Sequence, residues 1–338
     1  MDRKEFLTKT GLAGGTLLLA KFPELNFTNH PAVNPGEDSA SNPVKNKVRF
    51  GMITDLHHDI MHDGISRLTA FIEEMKMEKP DFIIQGGDFC FPKKGNLPLM
   101  EVWNGFQGPK YHVIGNHDTD GGFTREQVVE FWNAKAKYYS FDVNGFHFVV
   151  LDGNEHNVSE DRPKGYARYI SPVQLDWLRK DLKEASLPTI VFCHQGLDND
   201  SGGLENGTQL RYTLEQANEK AGQQKVVLVI SGHHHQDYYN YINQIHYVQI
   251  NSASYQWLGE DYKENRYSEA VDKSHPNIKY TVPYKDPIWA MIEIEGKGKI
   301  SIKGKKTVFV GASPEQLGVK MDGYIYPIVP YISDRKLG

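Results

Sequence analysis

From residue 47 onward, short apolar runs alternate with longer segments in which apolar residues recur every three or four positions. The runs at 48–54 and 82–84 have the length of buried strands. Between them, residues 63–78 place apolar side chains at helical spacing, which predicts an amphipathic helix with one buried face. This alternation of strand and helix predicts an α/β layered fold with parallel strands in the sheet.

The pattern continues through the middle of the chain. Asn144-Gly145 separates two apolar segments, 138–143 and 146–151, and is a strong signal for a β-hairpin. A helix is predicted over 171–185, because Ser171 is a good capping residue and a proline follows it at the first helical position. Further strands are predicted over residues 111–114, 189–193, 226–230, 237–250 and 288–303.

The N-terminal part of the chain follows a different pattern. Arg3 and Lys4 precede a short apolar stretch, Gly11 to Ala20, which is typical of an export signal over residues 1–22. The residue order is twin-arginine-like, with Lys4 in place of the second arginine. Residues 23–46 are rich in Asn, Pro and Ser and are interpreted as a linker. We expect export to the periplasm, with a cytoplasmic protein that has a frayed N-terminus as the alternative.

The composition of the chain excludes several classes of protein. Hydrophobic residues make up 39% and charged residues 24% of the 338 positions, which excludes collagen, a long coiled coil and wholesale disorder. No apolar run reaches the ~18 residues that a membrane-spanning helix needs. The net charge of −5 argues against a dedicated nucleic-acid-binding protein. The 2 cysteines exclude a disulfide scaffold and a zinc ribbon, whereas the 14 histidines include several tight clusters.

Polar clusters follow the predicted strands at their carboxyl ends. They are Asp55-Leu56-His57, Gly86-Gly87-Asp88, Gly115-Asn116-His117-Asp118, His194 and Gly232-His233-His234-His235. In open α/β sheets the loops at the carboxyl ends of the strands converge on one crevice, and ligands bind there. We therefore expect these residues, which are far apart in sequence, to meet at one site.

The residue types in these clusters favour a metal site. Residues two apart on an extended chain point to the same side, so Asp55 and His57 can hold one ion, and His233 and His235 can reach the same cavity. Carboxylate, amide and imidazole donors suit Mn, Fe, Zn or related divalent ions. A single Asp-x-His or a His-rich turn is commonly structural, so the prediction depends on the whole ordered set.

The ordered set D-x-H, GD, GNHD, H and GH-x-H resembles the calcineurin-like metallophosphoesterase superfamily over residues 48 to about 250. The resemblance implies a four-layer αββα sandwich, with two mixed β-sheets flanked by helices, and two divalent metal ions. It implies that the first ion is held by Asp55, His57 and His235. It also implies that the second ion is held by Asn116, His194 and His233, with Asp88 bridging the two.

The resemblance further implies the hydrolysis of a small organic phosphate ester. A hydroxide that bridges the ions would attack the phosphorus in line, and His117, oriented by Asp118, would stabilise charge or protonate the leaving group. The motifs do not separate a phosphomonoesterase from a phosphodiesterase, since class III cyclic-nucleotide phosphodiesterases share them. A nuclease is disfavoured by the net charge, and a noncatalytic scaffold by the presence of every motif residue.

Substrate choice is expected to depend on long connections after strands, at residues 152–170, 196–212 and 251–287. These loops supply the candidate substrate-binding residues Arg162, Lys164, Arg168, Arg211, Tyr255 and Trp257. Packing within the loops is the alternative role for the aromatic residues. The catalytic domain is predicted over 47–311, and residues 312–338 are interpreted as a C-terminal tail.

Overall fold

The computed structural model describes residues 46–159, 161–296, 298–321 and 324–338. The predicted export signal and the predicted linker up to residue 45 lie outside the described residues. The helices of the described part are α1 (Gly64–Glu78), α2 (Leu97–Asn104), α3 (Arg125–Trp132), α4 (Pro172–Glu184), α5 (Gly207–Ala221) and α6 (Glu269–Ser274). Among these residues, no helix combines the length and the apolar character that crossing a membrane requires.

The strands form two large mixed sheets and one small one. The bounds are β1 (Lys47–Ile53), β2 (Phe82–Gln85), β3 (Lys110–His112), β4 (Tyr139–Val143), β5 (Phe146–Val150), β6 (Thr189–Phe192), β7 (Val226–Ser231), β8 (Tyr238–Ile242), β9 (Ile245–Gln249), β10 (Tyr255–Trp257), β11 (Thr281–Pro283), β12 (Ala290–Glu295), β13 (Lys299–Lys303) and β14 (Arg335–Leu337). The first sheet has the order β14-β13-β12-β1-β2-β3, and the second has the order β4-β5-β6-β7-β9-β8. Strands β1, β2 and β3 are parallel, as are β5, β6, β7 and β9. The other neighbouring pairs of the two large sheets are antiparallel, including β1 with β12 at the centre of the first sheet. Strands β10 and β11 pair separately within the loop 251–287.

The main core lies between the two large sheets. Phe50 of β1 stacks on Phe82 of β2 at a centroid distance of 4.7 Å. It also meets Phe148 of β5 and Phe192 of β6 edge-on, at 5.9 and 5.7 Å, so that both sheets share one aromatic cluster. Full burial of each such side chain contributes about 1.5–3 kcal/mol.

Two further apolar clusters pack the helices on the outer faces. One joins α1, α2 and α3 to the first sheet, and the other joins α4 and α5 to the second. The layers are therefore helix, sheet, sheet and helix, which confirms the predicted α/β sandwich with two mixed sheets.

The local signals in the sequence explain several element boundaries. The side chain of Ser171 accepts a hydrogen bond from the backbone N–H of Gln174. Ser171 is therefore the N-terminal capping residue of α4, which begins at Pro172. Asn144 and Gly145 both have left-handed backbones, with φ of 49° and 83°, as the tight turn between β4 and β5 requires. In α1, Leu68 is buried on the apolar face that the spacing predicts, whereas the apolar side chain of Ile65 is 40% exposed.

The C-terminal residues pack against the second half of the chain. Strand β14 extends the first sheet beside β13. Tyr326 stacks on Tyr238 at 4.0 Å and exchanges hydrogen bonds with Asn240. Asp237 accepts hydrogen bonds from Arg335 at 2.8 Å and from the backbone of Ser333 at 3.2 Å. Residues 312–338, assigned to a tail in the sequence analysis, thus contribute a strand and several buried contacts.

Candidate metal centre

The predicted ligands gather into two groups at the carboxyl ends of strands from both sheets. Ligand atoms of Asp55, His57 and His235 lie within 4.8 Å of one another, and so do those of Asp88, His194 and His233. The first sheet supplies residues after β1 and β2, and the second supplies residues after β6 and β7. The site therefore lies where the two sheets meet, and both are needed to complete it.

The backbone at the ligand positions differs from the expected extended chain. Left-handed φ angles occur at Asp55 (53°), His57 (47°), Asp88 (51°), His233 (76°) and His235 (52°). The argument that Asp-x-His and His-x-His residues share one side of a strand is therefore wrong, because β1 and β7 end before these residues. The side chains converge through tight turns instead. Each such non-glycine conformation costs about 1–3 kcal/mol, which the surrounding contacts must offset.

Glycines allow the loops to approach one another closely. A Cβ atom on Gly115 would overlap the carboxylate and the backbone N of Asp88. A Cβ atom on Gly232 would likewise overlap Thr54 and the carboxylate of Asp55. Both positions therefore need glycine for packing.

Hydrogen bonds to backbone carbonyls set which nitrogen of each histidine faces the site. Nδ1 of His194 donates to the carbonyl of Gly86 at 2.8 Å, and Nδ1 of His235 donates to that of Tyr255 at 2.7 Å. In both residues Nε2 is left as the ligand atom. His233 has the opposite arrangement, because its Nε2 contacts the carbonyl of Gly202 at 3.0 Å. Such carbonyl partners fix the tautomer and ring orientation of metal-binding histidines.

Asp88 lies between the two groups. Its Oδ2 atom is 3.1 Å from Nε2 of His194 and 3.6 Å from Nε2 of His57. Oδ1 of Asp55 is 3.2 Å from Nε2 of His235. The Nε2 atoms of His57 and His235 are only 3.0 Å apart, so two nitrogen lone pairs converge with a carboxylate. This donor set of oxygen and imidazole nitrogen is one that divalent transition metals prefer.

Buried polar atoms without partners provide the test of whether the residues fit a cation. Both polar side-chain atoms of Asn116 are buried and have no hydrogen-bond partner among the described residues. Native proteins rarely bury such groups unsatisfied, because each costs about 1–3 kcal/mol. An ion ligated by the amide oxygen of Asn116 would satisfy that oxygen.

The pKa values show how the metal-free protein distributes charge. Burial lowers the pKa of His57 to about 3, so its imidazole is neutral, as a metal ligand must be. Burial also disfavours a proton on His194, but the carboxylates of Asp88 and Asp55 outweigh it and raise the pKa of His194 to about 10. Burial disfavours the charge on Asp55, but His194 and His235 outweigh it and lower its pKa to about 2. The protonated His194 thus compensates two buried carboxylates, a role that divalent cations can take over.

The contacts of His117 differ from those implied by the resemblance. Its backbone N–H donates to Oδ1 of Asp88 at 2.8 Å, and its Nδ1 lies 2.7 Å from Oδ2 of Asp120. The carboxylate of Asp118 instead accepts four backbone N–H groups, those of Asp88, Phe89, Cys90 and Gly115. The expectation that Asp118 orients His117 is therefore corrected, since the carboxylate next to the ring belongs to Asp120.

A cavity of about 620 Å³ opens over both groups. Tyr255 and Trp257, two of the candidate substrate residues, line it together with His117, Asp120 and Tyr166. Tyr255 is buried and packs on the rings of His57 and His235 at 4.9 and 5.0 Å, so it forms part of the wall.

The four candidate cations lie elsewhere. Arg162, Lys164, Arg168 and Arg211 are not among the residues that line this cavity. Arg168 donates to the carbonyl of Gly203 at 2.8 Å, and Arg211 donates to that of Leu197 at 3.0 Å. Arg168 and Arg211 therefore hold loops together rather than face the cavity.

Sequence reasoning did not identify Asp120 and Tyr166. Asp120 lies three residues after His117 in the same polar run, so its position was a usable signal. Tyr166 gave no such signal, since it lies in the long loop 152–170, whose path the sequence does not determine.

Comparisons with known proteins agree with this geometry. The calcineurin-like phosphoesterase family model matches residues 48–237, more than half of the chain. The chain is 23% identical over 260 residues to a 3′,5′-cyclic-nucleotide phosphodiesterase of Nostoc sp., covering 72% of this chain and 90% of the relative. It is 26% identical over 178 residues to a probable cyclic nucleotide phosphodiesterase of Synechococcus sp., covering 50% of this chain and 64% of the relative.

Solved structures share the fold. A dimetal phosphatase of Danio rerio matches with a TM-score of 0.55 at 14% identity, over 79% of this chain and 99% of that chain. GAP50, the anchor in the inner membrane complex of Plasmodium, matches with a TM-score of 0.51 at 17% identity, over 79% of this chain and 89% of that chain. Because the family match spans all the strand ends that carry the two ligand groups, the chain belongs to the calcineurin-like phosphoesterase family of metal-dependent phosphoric ester hydrolases, which use two divalent metal ions.

Proposed function

We propose that the protein hydrolyses a small organic phosphate ester at two divalent ions held by Asp55, His57, Asp88, Asn116, His194, His233 and His235. One observation carries the proposal. A single carboxylate, that of Asp88, reaches histidines of both ligand groups, at 3.1 and 3.6 Å. This is the arrangement expected of a ligand that bridges two ions, and the unpartnered amide oxygen of Asn116 supports the same assignment.

His117 is the candidate catalytic residue. Divalent ions bound at the two groups would polarise the phosphate oxygens and lower the pKa of a water molecule. His117 lines the cavity beside them, and its Nδ1 is engaged by Asp120, so Nε2 is the nitrogen left for the substrate. That nitrogen can donate a hydrogen bond to a phosphate oxygen as charge develops, or give its proton to the leaving oxygen.

A phosphodiester such as a 3′,5′-cyclic nucleotide is the second candidate substrate. The two relatives that are named as cyclic-nucleotide phosphodiesterases favour it. The cavity of about 620 Å³ is in the usual range for a small ligand, and Trp257 at its border is 43% exposed. An exposed indole of this kind offers a face on which a planar ring can stack.

An activity panel tests the proposal. The purified protein is loaded with Mn²⁺, Zn²⁺ or Fe²⁺ and assayed with p-nitrophenyl phosphate, bis-p-nitrophenyl phosphate and 3′,5′-cyclic AMP. We expect a chelator to abolish hydrolysis and added metal to restore it. The variant His194→Gln should lose both hydrolysis and bound metal. Hydrolysis that survives the chelator, or no hydrolysis with any metal, rejects the proposal. A strong preference for the monoester rejects the diester version alone.

We also propose that the protein is exported to the periplasm. The support lies in the sequence, where Arg3 and Lys4 precede the apolar stretch from Gly11 to Ala20. Cell fractionation with N-terminal sequencing tests this, with Arg3→Gln combined with Lys4→Gln as the comparison. We expect the wild-type chain outside the cytoplasm and the double variant within it. Wild-type chain retained in the cytoplasm would reject export.

A further inference from the structure

A short buried segment after β9 lies against the loop that carries Asp55 and His57. The segment begins the loop 251–287, for which a role in substrate choice is expected, and it follows the residues 48–237 that match the family model. Its five residues are each at most 1% exposed, and they are Asn251, Ser252, Ala253, Ser254 and Tyr255. The segment 251–255 is therefore part of the interior beside the metal centre rather than part of a surface loop.

Two serine hydroxyls of this segment bind consecutive carbonyl groups of the ligand loop. The hydroxyl of Ser252 donates to the carbonyl of Asp55 at 2.9 Å. The hydroxyl of Ser254 donates to the carbonyl of Leu56 at 2.7 Å. Neither carbonyl has another hydrogen-bond donor among the described residues, and both residues are buried. Loss of either hydroxyl would thus leave a buried acceptor unsatisfied, which is costly.

The ligand loop needs this support because its backbone is strained. Asp55 and His57 have left-handed φ angles of 53° and 47°, and such conformations persist only where surrounding contacts fix them. Their backbone N–H groups donate to the carbonyls of Gly87 and Asp88, both at 2.9 Å. The loop after β2 therefore holds the donors of the turn, and the two serines hold its acceptors.

The segment 251–255 also contacts His235, the third residue of the first ligand group. The carbonyl of Tyr255 accepts the hydrogen bond from Nδ1 of His235 at 2.7 Å. The hydroxyl of Ser252 in turn accepts the backbone N–H of Tyr255 at 3.2 Å. Ser252 therefore links the carbonyl of Asp55 to the residue that orients His235.

We propose that Ser252 and Ser254 are positioning residues for the first ligand group, Asp55, His57 and His235. They hold the acceptors of the strained turn and so direct its carboxylate and imidazole toward one ion, and partners of this kind commonly tune metal affinity. This role rests on the ligands assigned under the proposed function. Among the described residues, no hydrogen bond joins the segment 251–255 to the second ligand group. Loss of a serine hydroxyl should therefore weaken one ion and spare the other.

Metal titration of matched variants tests this selectivity without turnover. Ser254→Ala is compared with Thr281→Val, which removes a buried hydroxyl that donates to the carbonyl of Ile278, also at 2.7 Å, farther along the same loop. Mn²⁺ is titrated into the metal-free protein by calorimetry. We expect Ser254→Ala to weaken one of two binding events about 10- to 100-fold, Ser252→Ala to weaken the same event, and Thr281→Val to match the wild type.

Variants that keep one ligand group identify the affected ion. His235→Gln removes a ligand of the first group, and His233→Gln removes a ligand of the second. We expect Ser254→Ala to weaken the ion that remains in His233→Gln and to leave unchanged the ion that remains in His235→Gln. Equal weakening in both backgrounds, or no weakening in either, would overturn the assignment.

Hydrogen exchange in the metal-free protein covers the case in which no ion binds. The backbone N–H groups of Asp55 and His57 report whether the turn is held. We expect both to exchange about 10- to 100-fold faster in Ser254→Ala than in Thr281→Val. A wild type that binds no metal would reject the proposed function, and the exchange comparison alone would then decide whether the serines hold the turn. Equal exchange in the two variants would overturn that role.

Discussion

Asp118→Asn tests the hydrogen bonds that join two of the loops carrying candidate ligands. Oδ1 of Asp118 accepts the backbone N–H of Phe89 at 2.7 Å and that of Cys90 at 3.1 Å. Oδ2 accepts the N–H of Asp88 at 2.9 Å and that of Gly115 at 2.7 Å. An asparagine amide has one oxygen and one NH₂ group. It can therefore satisfy one pair of these buried donors, and it turns a donor toward the other pair.

The size of the effect follows from this count. Each buried N–H left without an acceptor costs about 1–3 kcal/mol, so two of them lower the free energy of unfolding by about 2–6 kcal/mol. A typical domain is stable by only about 5–15 kcal/mol. We therefore expect Asp118→Asn to be strongly destabilised even without metal, while the contact between His117 and Asp120 is left intact.

Urea denaturation in the presence of a chelator, followed by tryptophan fluorescence, measures the difference. The control is Asp176→Asn, which makes the same substitution at a side chain that is 74% exposed. If Asp118 oriented His117, its amide variant would keep the stability of the control and lose only turnover. Equal denaturation midpoints for the two variants would therefore refute the assignment of Asp118 to the loop junction.

Three other predictions follow from the described contacts. Asp88→Asn removes the charge shared by the two ligand groups, so the metal content measured by plasma mass spectrometry should fall below two ions per chain; full occupancy would reject the bridging role. Burial disfavours a proton on His147, but hydrogen bonds with Asp181 at 2.8 Å and Asp142 at 2.6 Å outweigh it and raise its pKa. This stabilisation is complete below the unfolded pKa of about 6.5 and is lost as the pH rises through the raised pKa of the folded state. In urea denaturation, the wild type should therefore be more stable than His147→Gln at acidic pH, and this difference should shrink at alkaline pH. A difference that stays constant with pH would contradict the prediction. Deleting residues 312–338 removes β14 and the contacts of Tyr326, and should lower the midpoint of thermal unfolding; an unchanged midpoint would support a domain that ends at residue 311.

The fold class was readable from the sequence because its signals are local. Each buried strand is a short apolar run, and each outer helix shows its own apolar face, as in α1 and α4. The positions of the candidate ligands at the carboxyl ends of these strands predict that they meet at one edge of the fold. The division into two sheets was implied by the family resemblance alone, since the pairing of β1 with β12 joins residues at opposite ends of the domain.

The finer features of the site could not be read in this way. Asp55 and His57 adopt left-handed backbones because Gly87 and Asp88 of the next loop hold them through backbone hydrogen bonds of 2.9 Å. The direction of a side chain in such a turn depends on that long-range partner. It therefore leaves no periodic pattern of apolar and polar residues in the sequence. The same holds for the loop 152–170, whose only contribution to the lining of the main cavity, within the described residues, is Tyr166.

The order of strands in the first sheet has a consequence for folding during synthesis of the chain. Strand β1, which leads to Asp55 and His57, lies between β2 and β12, and Lys47 pairs with Glu295, 248 residues further along the chain. A ribosome therefore finishes almost the whole domain before that strand has both neighbours, and contacts this distant in sequence form slowly. We therefore expect Asp55 and His57, which follow β1, to reach their final geometry only late in synthesis.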